Sequence, residues 1–234
     1  MPESLNDFRR RTAFVWDSLP KEGSFATNPR LAEKVGPDGK LLPFFGDTVI
    51  FDLDDAAKDW LRGMQRELYD ACGGMMAEAL DPASFHITLH DLNSAPNHAD
   101  VAEAMDRARP ASEALLAELE GKPWREICVR STAAFSMVNT SVVLGFEPAG
   151  EADCAALMEL YERFQEIVPL GYPLTPHVTL GYYRPGDYGP EGLQMLRSAL
   201  AKCSRAEPRT LRLPRPVYAR FADMNRYFFG EELL

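Results

Sequence analysis

The chain has few cysteines, no long apolar run and no excess of basic residues. Its four cysteines (Cys72, Cys128, Cys154 and Cys203) are scattered, with no CxxC pair and no zinc-like spacing, which is typical of reduced thiols in a cytoplasmic protein. No apolar stretch reaches the roughly 18 residues that a membrane-spanning helix needs. The opening residues also lack the apolar segment of a secretory signal. These absences predict a cytoplasmic protein with no membrane partner.

The charge balance is acidic, with 25 basic and 35 acidic residues and a net charge of −10. Proteins that bind a long duplex neutralise many phosphates with a basic surface. The balance therefore argues against an extended duplex nucleic acid and favours a small substrate or a short nucleic-acid end. Hydrophobic residues make up 46% of the chain, enough for a buried core.

The first part of the chain changes character near residue 40. Residues 1–40 are polar and rich in turn-forming residues, as in KEGSFATNPR and VGPDGK, which predicts an irregular N-terminal arm. A β-rich run follows, with a strand expected over 48–53. Asp54 or Asp55 is expected to cap the helix after it. Residues 41–234 are expected to form a single domain.

The rest of the chain mixes strands and helices without strict alternation, which predicts an α+β protein. The helix expected over 98–120 contains Pro110, which should break or kink it. The tail VYARFADMNRYFF is expected to form two strands joined by a turn. Further strands are expected over 85–91, 124–130, 140–146, 177–183 and 209–213, and further helices over 152–168 and 190–202.

One short pattern occurs twice, as HITL at 86–89 and HVTL at 177–180. Alternate side chains of a strand point to opposite faces. His86 and Thr88 therefore share one face of the first strand, and His177 and Thr179 share one face of the second. Two such strands brought together would place two imidazoles and two hydroxyls around one groove.

This set of side chains suits the opening of a cyclic phosphate. The reaction needs a base to activate water and an acid to protonate the departing sugar oxygen, and two histidines can supply both near neutral pH. The threonine hydroxyls can donate to the phosphate oxygens that carry charge in the transition state. No metal and no cofactor are required. The alternative is that each histidine only satisfies a structural hydrogen bond and that threonine occurs because strands favour it.

Three further residues are weaker candidates for substrate binding. His90 would share the face of His86, although four strand residues span about 13 Å, too far for the pair to hold one metal ion. Tyr183 would share the face of His177 and could stack on a base, although packing explains it equally well. Arg184 could neutralise a phosphate or be an ordinary surface arginine.

The two tetrads, about ninety residues apart, resemble the signature of the 2H phosphoesterase superfamily, which includes bacterial 2′-5′ RNA ligase-like proteins and cyclic phosphodiesterases. The segments GKLLPFFGDTVIFDL and TPHVTLGYYRPG are similar to a poorly characterised bacterial and fungal branch of it. The resemblance extends from about Leu41 onward and leaves the arm outside. His90-Asp91 departs from the hydrophobic continuation typical of the family.

The resemblance implies a bilobal α+β fold with pseudo-twofold symmetry, in which two antiparallel sheets line a central groove and helices lie outside. It also implies that His86 and His177 are the acid and base, and that Thr88 and Thr179 bind the phosphate. The expected activity is a metal-independent phosphodiesterase acting on a 2′,3′-cyclic nucleotide, a nucleotide-derived small molecule or an RNA end. A non-catalytic nucleotide-phosphate binding module and a 2′-5′ RNA ligase remain open alternatives, as does the oligomeric state.

Overall fold

The computed structural model describes residues 3–16, 19–205 and 207–230. Within these ranges the α-helices are α1 (Leu5–Trp16), α2 (Asp55–Cys72), α3 (His98–Glu120), α4 (Glu151–Gln165) and α5 (Pro190–Cys203). The strands are β1 (Phe25–Ala26), β2 (Phe45–Asp52), β3 (His86–Ala95), β4 (Ile127–Met137), β5 (Ser141–Pro148), β6 (His177–Tyr182), β7 (Asp187–Tyr188), β8 (Thr210–Leu213), β9 (Val217–Asp223) and β10 (Arg226–Phe229). No helix in the described ranges is long and apolar enough to cross a bilayer.

The strands form two antiparallel four-stranded sheets with matching orders, β10-β9-β2-β3 and β8-β4-β5-β6. A short third sheet pairs β1 with β7. In each large sheet a strand–helix–strand unit supplies the inner and the edge strand, namely β2-α2-β3 in the first sheet and β5-α4-β6 in the second. The predicted α+β, bilobal and pseudo-twofold architecture is confirmed.

The helices pack across the two lobes and so bring the edge strands together. Helix α2 follows β2 of the first sheet but packs on β6 of the second sheet and on α5. Helix α4 follows β5 of the second sheet but packs on β3 of the first as well as on β4 and β5. Strands β3 and β6 consequently contact each other while belonging to separate sheets. The space beside these two edges is called the groove below.

Helix α2 forms for the local reasons that its sequence suggests. The Asp54 carboxylate accepts a hydrogen bond of 2.8 Å from the backbone N–H of Ala57 and so caps the first turn. Ala57, Leu61 and Leu68 lie on one buried face at helical spacing, and their burial removes apolar surface from water. The predicted cap and apolar face of this helix are confirmed.

The N-terminal arm is more ordered than its composition suggests. Residues Leu5–Trp16 form helix α1, which packs on β4, β5 and α4. Leu5, Phe8 and Thr12 are buried at three- and four-residue spacing, and the Arg9 guanidinium forms a bidentate pair with Glu147. The prediction of an irregular arm is therefore wrong for these twelve residues, because contacts with the second lobe stabilise a helix that the polar sequence conceals.

Helix α3 contains Pro110 and continues through it. A proline inside a helix removes one backbone hydrogen bond and crowds the preceding turn. Here the helix packs on β2, β3 and β9, with Val101, Met105 and Ala108 buried. Ser112 is also buried, beyond the proline, so tertiary packing holds the helix on both sides. Of the two predicted outcomes, a break or a kink, the break does not occur.

Each motif strand carries a β-bulge at the leucine that ends its tetrad. On β3, Thr88 pairs with Ile50 and His90 pairs with Val49, so Leu89 is the extra residue. A bulge of this kind reverses the alternation of faces beyond it. His90 and Asp91, which lie between this bulge and a second register shift at Leu92, therefore point to faces opposite to those that simple alternation predicts.

The same irregularity occurs at the equivalent point of β6. Thr179 pairs with Val143 and Gly181 pairs with Val142, which leaves Leu180 without a partner. The two bulges are related by the pseudo-twofold symmetry, so the position of His90 corresponds to that of Gly181. The position of Asp91 likewise corresponds to that of Tyr182.

Two glycines give opposite predictions for stability. A Cβ at Gly46, on β2, would overlap the carbonyl oxygen of Asn93 and the ring of Phe221, whereas a Cβ at Gly63, in α2, would have no heavy atom within 4 Å. We expect Gly46→Ala to lower the free energy of unfolding by about 2–4 kcal/mol. Gly63→Ala should raise it by about 0.5–1 kcal/mol, because alanine favours the helix. Urea denaturation measures both, and equal shifts would contradict the packing at Gly46.

Candidate active site

His86 and His177 occupy equivalent places at the start of the two edge strands. His86 is the first residue of β3 and His177 the first residue of β6, and both side chains are half-buried. Strands β3 and β6 contact each other, and the charge of His177 contributes to lowering the pKa of His86. The structure therefore brings together the two imidazoles that lie far apart in the sequence.

Both rings are held in the same orientation by a backbone carbonyl. Nδ1 of His86 lies 2.7 Å from the carbonyl oxygen of Ser84, and Nδ1 of His177 lies 2.7 Å from that of Thr175. A carbonyl only accepts, so each Nδ1 carries the hydrogen and donates it. In the neutral rings Nε2 is then left with a free lone pair, which fixes the atom of each histidine that can exchange a proton.

Burial disfavours the protonated, positively charged form of both histidines. Removal from water lowers the pKa of His86 to about 4; the Ser84 carbonyl opposes this shift and the nearby His177 adds to it. Burial also lowers the pKa of His177, against the opposing effects of the Thr175 carbonyl and Asp91. A proton on either ring disfavours a second proton on the other, so the pair takes up its first proton as a coupled unit.

The two threonines present unused hydroxyls beside these rings. Thr88 and Thr179 each lie two residues after their histidine, before the bulge, and are half-buried on the groove face. Within the described ranges neither hydroxyl has a hydrogen-bond partner in the protein. Hydroxyls placed in this way can donate to a bound anion.

Asp91 is a groove residue that the sequence did not single out. The Leu89 bulge turns it to the side of His86, and its charge raises the pKa of His86 and of His177. Its carboxylate accepts a 2.8 Å hydrogen bond from the Tyr172 hydroxyl, which belongs to the segment before β6. Asp91 therefore provides a negative charge that acts on both rings at once.

Two tyrosines add aromatic surface to the groove. The Tyr227 ring on β10 meets the His86 ring edge-to-face, with centroids 4.7 Å apart. Tyr182 lies on the groove face beyond the Leu180 bulge, where its hydroxyl contacts the Met224 sulfur at 3.1 Å. Neither residue was predicted, because the position of Tyr182 depends on the bulge and that of Tyr227 on the pairing of β10 with β9.

His90 does not share the face of His86 as predicted. Only 1% of its surface is exposed, and its ring packs at 5.2 Å from that of Tyr161 and 6.1 Å from that of Phe164, both on α4. The prediction of a shared face fails because the bulge at Leu89 reverses the alternation. His90 therefore lies on the face of the sheet that packs against α4, opposite the groove.

Tyr183 and Arg184 are also placed differently from the prediction. Tyr183 is fully buried and packs edge-to-face against Phe25, with ring centroids 5.4 Å apart, and Phe25 in turn stacks on Tyr188. The shared face with His177 is wrong for the same reason, since the Leu180 bulge exchanges Tyr183 with Tyr182. Arg184 is exposed, and its Nε donates a 2.9 Å hydrogen bond to the Pro37 carbonyl, so it fastens a loop of the arm.

Other parts of the described chain offer weaker sites. A cavity of about 730 Å³ lies between α5 and β4 and is lined in part by Arg197, Ser198 and Ser204, but by none of the groove residues. Over residues 3–16, 19–205 and 207–230, no three His, Cys, Asp or Glu side chains are grouped to hold a metal ion. The histidine pair is thus the main concentration of reactive groups.

Comparison with known proteins gives similarity at the level of structure. No family model and no curated protein sequence matches the chain. The conserved protein of unknown function ATU0111 from Agrobacterium tumefaciens superposes with a TM-score of 0.67 at 18% identity, over 88% of this chain and 93% of that one. The fold is shared.

Two further solved structures are less similar to the chain. TT0787 of Thermus thermophilus has a TM-score of 0.51 at 14% identity, over 80% of this chain and 95% of that one. E. coli LigT complexed with NADP+ has a TM-score of 0.42 at 12% identity, over 80% and 94% of the two chains. With its two matching sheets and helices packed across the lobes, the chain has the bilobal α+β fold that was predicted, and it shares this fold with ATU0111 and TT0787.

The buried histidines predict a loss of stability in acid. The pKa values of His86, His90 and His177 are all lowered in the folded chain, so between these values and about 6.5 the unfolded chain binds more protons. The stabilisation is complete above about pH 6.5 and is lost as the pH falls through the lowered values. We expect the free energy of unfolding to drop between about pH 7.5 and pH 5. In urea titrations His90→Leu should reduce this drop, and an unchanged drop would contradict the assignment to His90.

Proposed function

We propose that this protein is a 2H-type phosphoesterase that opens a cyclic phosphate by two-histidine acid–base catalysis, without a metal ion. The supporting observation is that two carbonyl-fixed imidazoles and two unpaired threonine hydroxyls meet at one groove. A structural role alone does not require the same tautomer and the same Thr spacing on both edge strands. The substrate class is a 2′,3′-cyclic phosphate on a nucleotide, a nucleotide-derived small molecule or an RNA end.

One histidine must be protonated and the other neutral for this reaction. In the proposed scheme protonated His177 is the acid and neutral His86 is the base. Nε2 of His86 removes a proton from water as the water oxygen forms a bond to phosphorus. The bond from phosphorus to one sugar oxygen breaks, and Nε2 of His177 protonates that oxygen. The product is a phosphomonoester, and proton exchange with solvent resets both rings.

The hydroxyls and the bound phosphate complete this chemistry. Thr88 and Thr179 donate to the non-bridging oxygens, whose negative charge grows in the transition state. The anionic substrate also raises the pKa of the histidine pair, because a nearby negative charge favours imidazolium. Substrate binding therefore favours the protonated form of His177, which burial alone disfavours.

Asp91 tunes the acid, and its removal should change the pH profile. Its charge raises the pKa of both histidines, so Asp91→Asn should shift the alkaline limb of kcat/KM to lower pH and reduce activity at pH 7 by about tenfold. Tyr172→Phe is the matched control, because it removes the hydroxyl on Asp91 and keeps the charge. A shift of equal size in Tyr172→Phe would show that the carboxylate acts through position and not charge.

A panel of cyclic phosphates tests the proposed function directly. The purified chain is incubated, with and without a chelator, with 2′,3′-cyclic mononucleotides, a cyclic phosphate derived from ADP-ribose and oligonucleotides ending in a 2′,3′-cyclic phosphate. Chelator-resistant release of a phosphomonoester is expected. Tight binding without product would instead favour a binding module, and joining of RNA ends would favour a ligase.

A further inference from the structure

Lys34 reaches the groove from the arm, outside the region that resembles the family. Its Nζ lies 4.6 Å from the centroid of the Phe44 ring and 5.9 Å from that of the Tyr182 ring. Tyr182 is the groove-facing residue just beyond the Leu180 bulge. The ammonium group is therefore held against aromatic surface at one end of the groove.

The charge of Lys34 has no partner at contact distance. Within the described ranges no carboxylate oxygen lies within 4.0 Å of its Nζ, and its nearest acidic groups, Asp91 and Glu33, act on it only at longer range. Burial lowers the pKa of Lys34. A half-buried ammonium without a counter-ion is costly, and an anion that enters the groove would remove this cost.

The backbone around Lys34 is fixed to the catalytic lobes. The Lys34 carbonyl accepts a 2.8 Å hydrogen bond from the Leu42 N–H, and Arg184 donates to the Pro37 carbonyl. Glu78 completes the attachment, since its backbone N–H donates to the Gly39 carbonyl and its carboxylate accepts from the Leu41 N–H. The loop is anchored at both ends, so the position of Lys34 is built into the fold.

The spacing along β6 places this ammonium next to the phosphate site. Thr179 and Tyr182 are successive groove-facing residues because the bulge takes up one position, and such neighbours are about 7 Å apart. The Lys34 ammonium, which faces the Tyr182 ring, therefore lies beside the groove position that follows Thr179 on β6.

We propose that Lys34 binds a second phosphate of the substrate, carried by the same nucleoside as the cyclic phosphate. This inference rests on the proposed function for the identity of the first phosphate. The second phosphate is either a 5′-monophosphate or the 5′-phosphodiester of an RNA end, since both place a negative charge beyond the sugar. Lys34 is a specificity residue in this arrangement and takes no part in proton transfer.

Substrates with and without the second phosphate provide the test. Adenosine 2′,3′-cyclic phosphate is compared with its 5′-phosphorylated form and with the dinucleotide ApA ending in a 2′,3′-cyclic phosphate. We expect Lys34→Met to lower kcat/KM by about 10- to 100-fold for the two longer substrates and less than about threefold for the first. Lys34→Arg should retain most of the preference, and Lys40→Met, which removes an exposed lysine of the same loop, should change none of the three.

The outcomes separate this inference from the proposed function. A response of only one longer substrate to Lys34→Met identifies the source of the phosphate, and an equal loss on all three substrates overturns the inference. Calorimetry with adenosine 3′,5′-bisphosphate and adenosine 3′-monophosphate gives a readout that needs no turnover. If no substrate reacts but Lys34→Met abolishes the preference for the bisphosphate, the catalytic function fails and the second-phosphate site stands. If the substrates react but Lys34→Met leaves the preference for the bisphosphate intact, the catalytic function stands and the second-phosphate site is overturned.

Discussion

His177→Ala and His86→Ala are each expected to lower kcat/KM for adenosine 2′,3′-cyclic phosphate by about 100- to 10 000-fold. Each imidazole moves one proton in a single displacement, and within the described ranges no other histidine lies on the groove face to replace it. The carbonyls of Ser84 and Thr175 remain where they are, but they cannot act as proton donors. Steady-state kinetics with the purified variants measures the loss.

A control histidine separates catalysis from folding. His98 is exposed at the start of α3, and His98→Ala should keep wild-type activity. The free energy of unfolding of all three variants, measured in urea, shows whether the groove variants remain folded. Full activity in folded His86→Ala or His177→Ala would end the two-histidine mechanism.

A substrate with an activated leaving group tests which histidine is the acid. The 4-nitrophenolate ion leaves bis(4-nitrophenyl) phosphate without needing a proton, so loss of the acid matters less for this substrate. We therefore expect His177→Ala to lose far less activity on it than on the cyclic nucleotide, while His86→Ala loses activity on both. The reverse pattern would exchange the roles of acid and base.

The two tetrads predict the faces of the site residues correctly as far as the bulges, and incorrectly beyond them. Alternation correctly places Thr88 on the groove side of β3, two residues after His86. The predicted face of His90 is wrong, because the bulge arises from the pairing of β3 with β2 and from the packing of His90 on α4. Neither contact is local in the sequence. A period-two pattern contains no signal for such an interruption.

Other groove residues depend on tertiary contacts between distant segments. Asp91 was visible only as a departure from the family pattern, and its influence on both histidines requires β3 and β6 to meet. Lys34 belongs to a stretch that looked irregular, and its place follows from the hydrogen bonds that anchor its loop. The helices and most strands were predictable because their apolar periodicity is local.

Thr88→Val and Thr179→Val are expected to lower kcat by about 100-fold each while KM changes little. Valine keeps the branched shape that suits a strand but removes the hydroxyl. The hydroxyl should bind more strongly to the charged transition state than to the substrate, and such an interaction appears in kcat. Thr→Ser at each site restores a donor and should recover most of the activity. A rise in KM at constant kcat would assign the hydroxyls to ground-state binding only.

The double variant Thr88→Val/Thr179→Val tests whether the two halves of the groove act on separate oxygens. Pseudo-twofold symmetry brings one hydroxyl from each edge strand to a shared phosphate, so each should serve a different non-bridging oxygen. The two losses in kcat should then multiply to about 10 000-fold, because independent interactions add in free energy. If both hydroxyls instead bound one oxygen, the first substitution would already disturb the geometry that the second depends on. The double variant would then lose little more than either single variant, and the symmetry of the fold would have no counterpart in the chemistry.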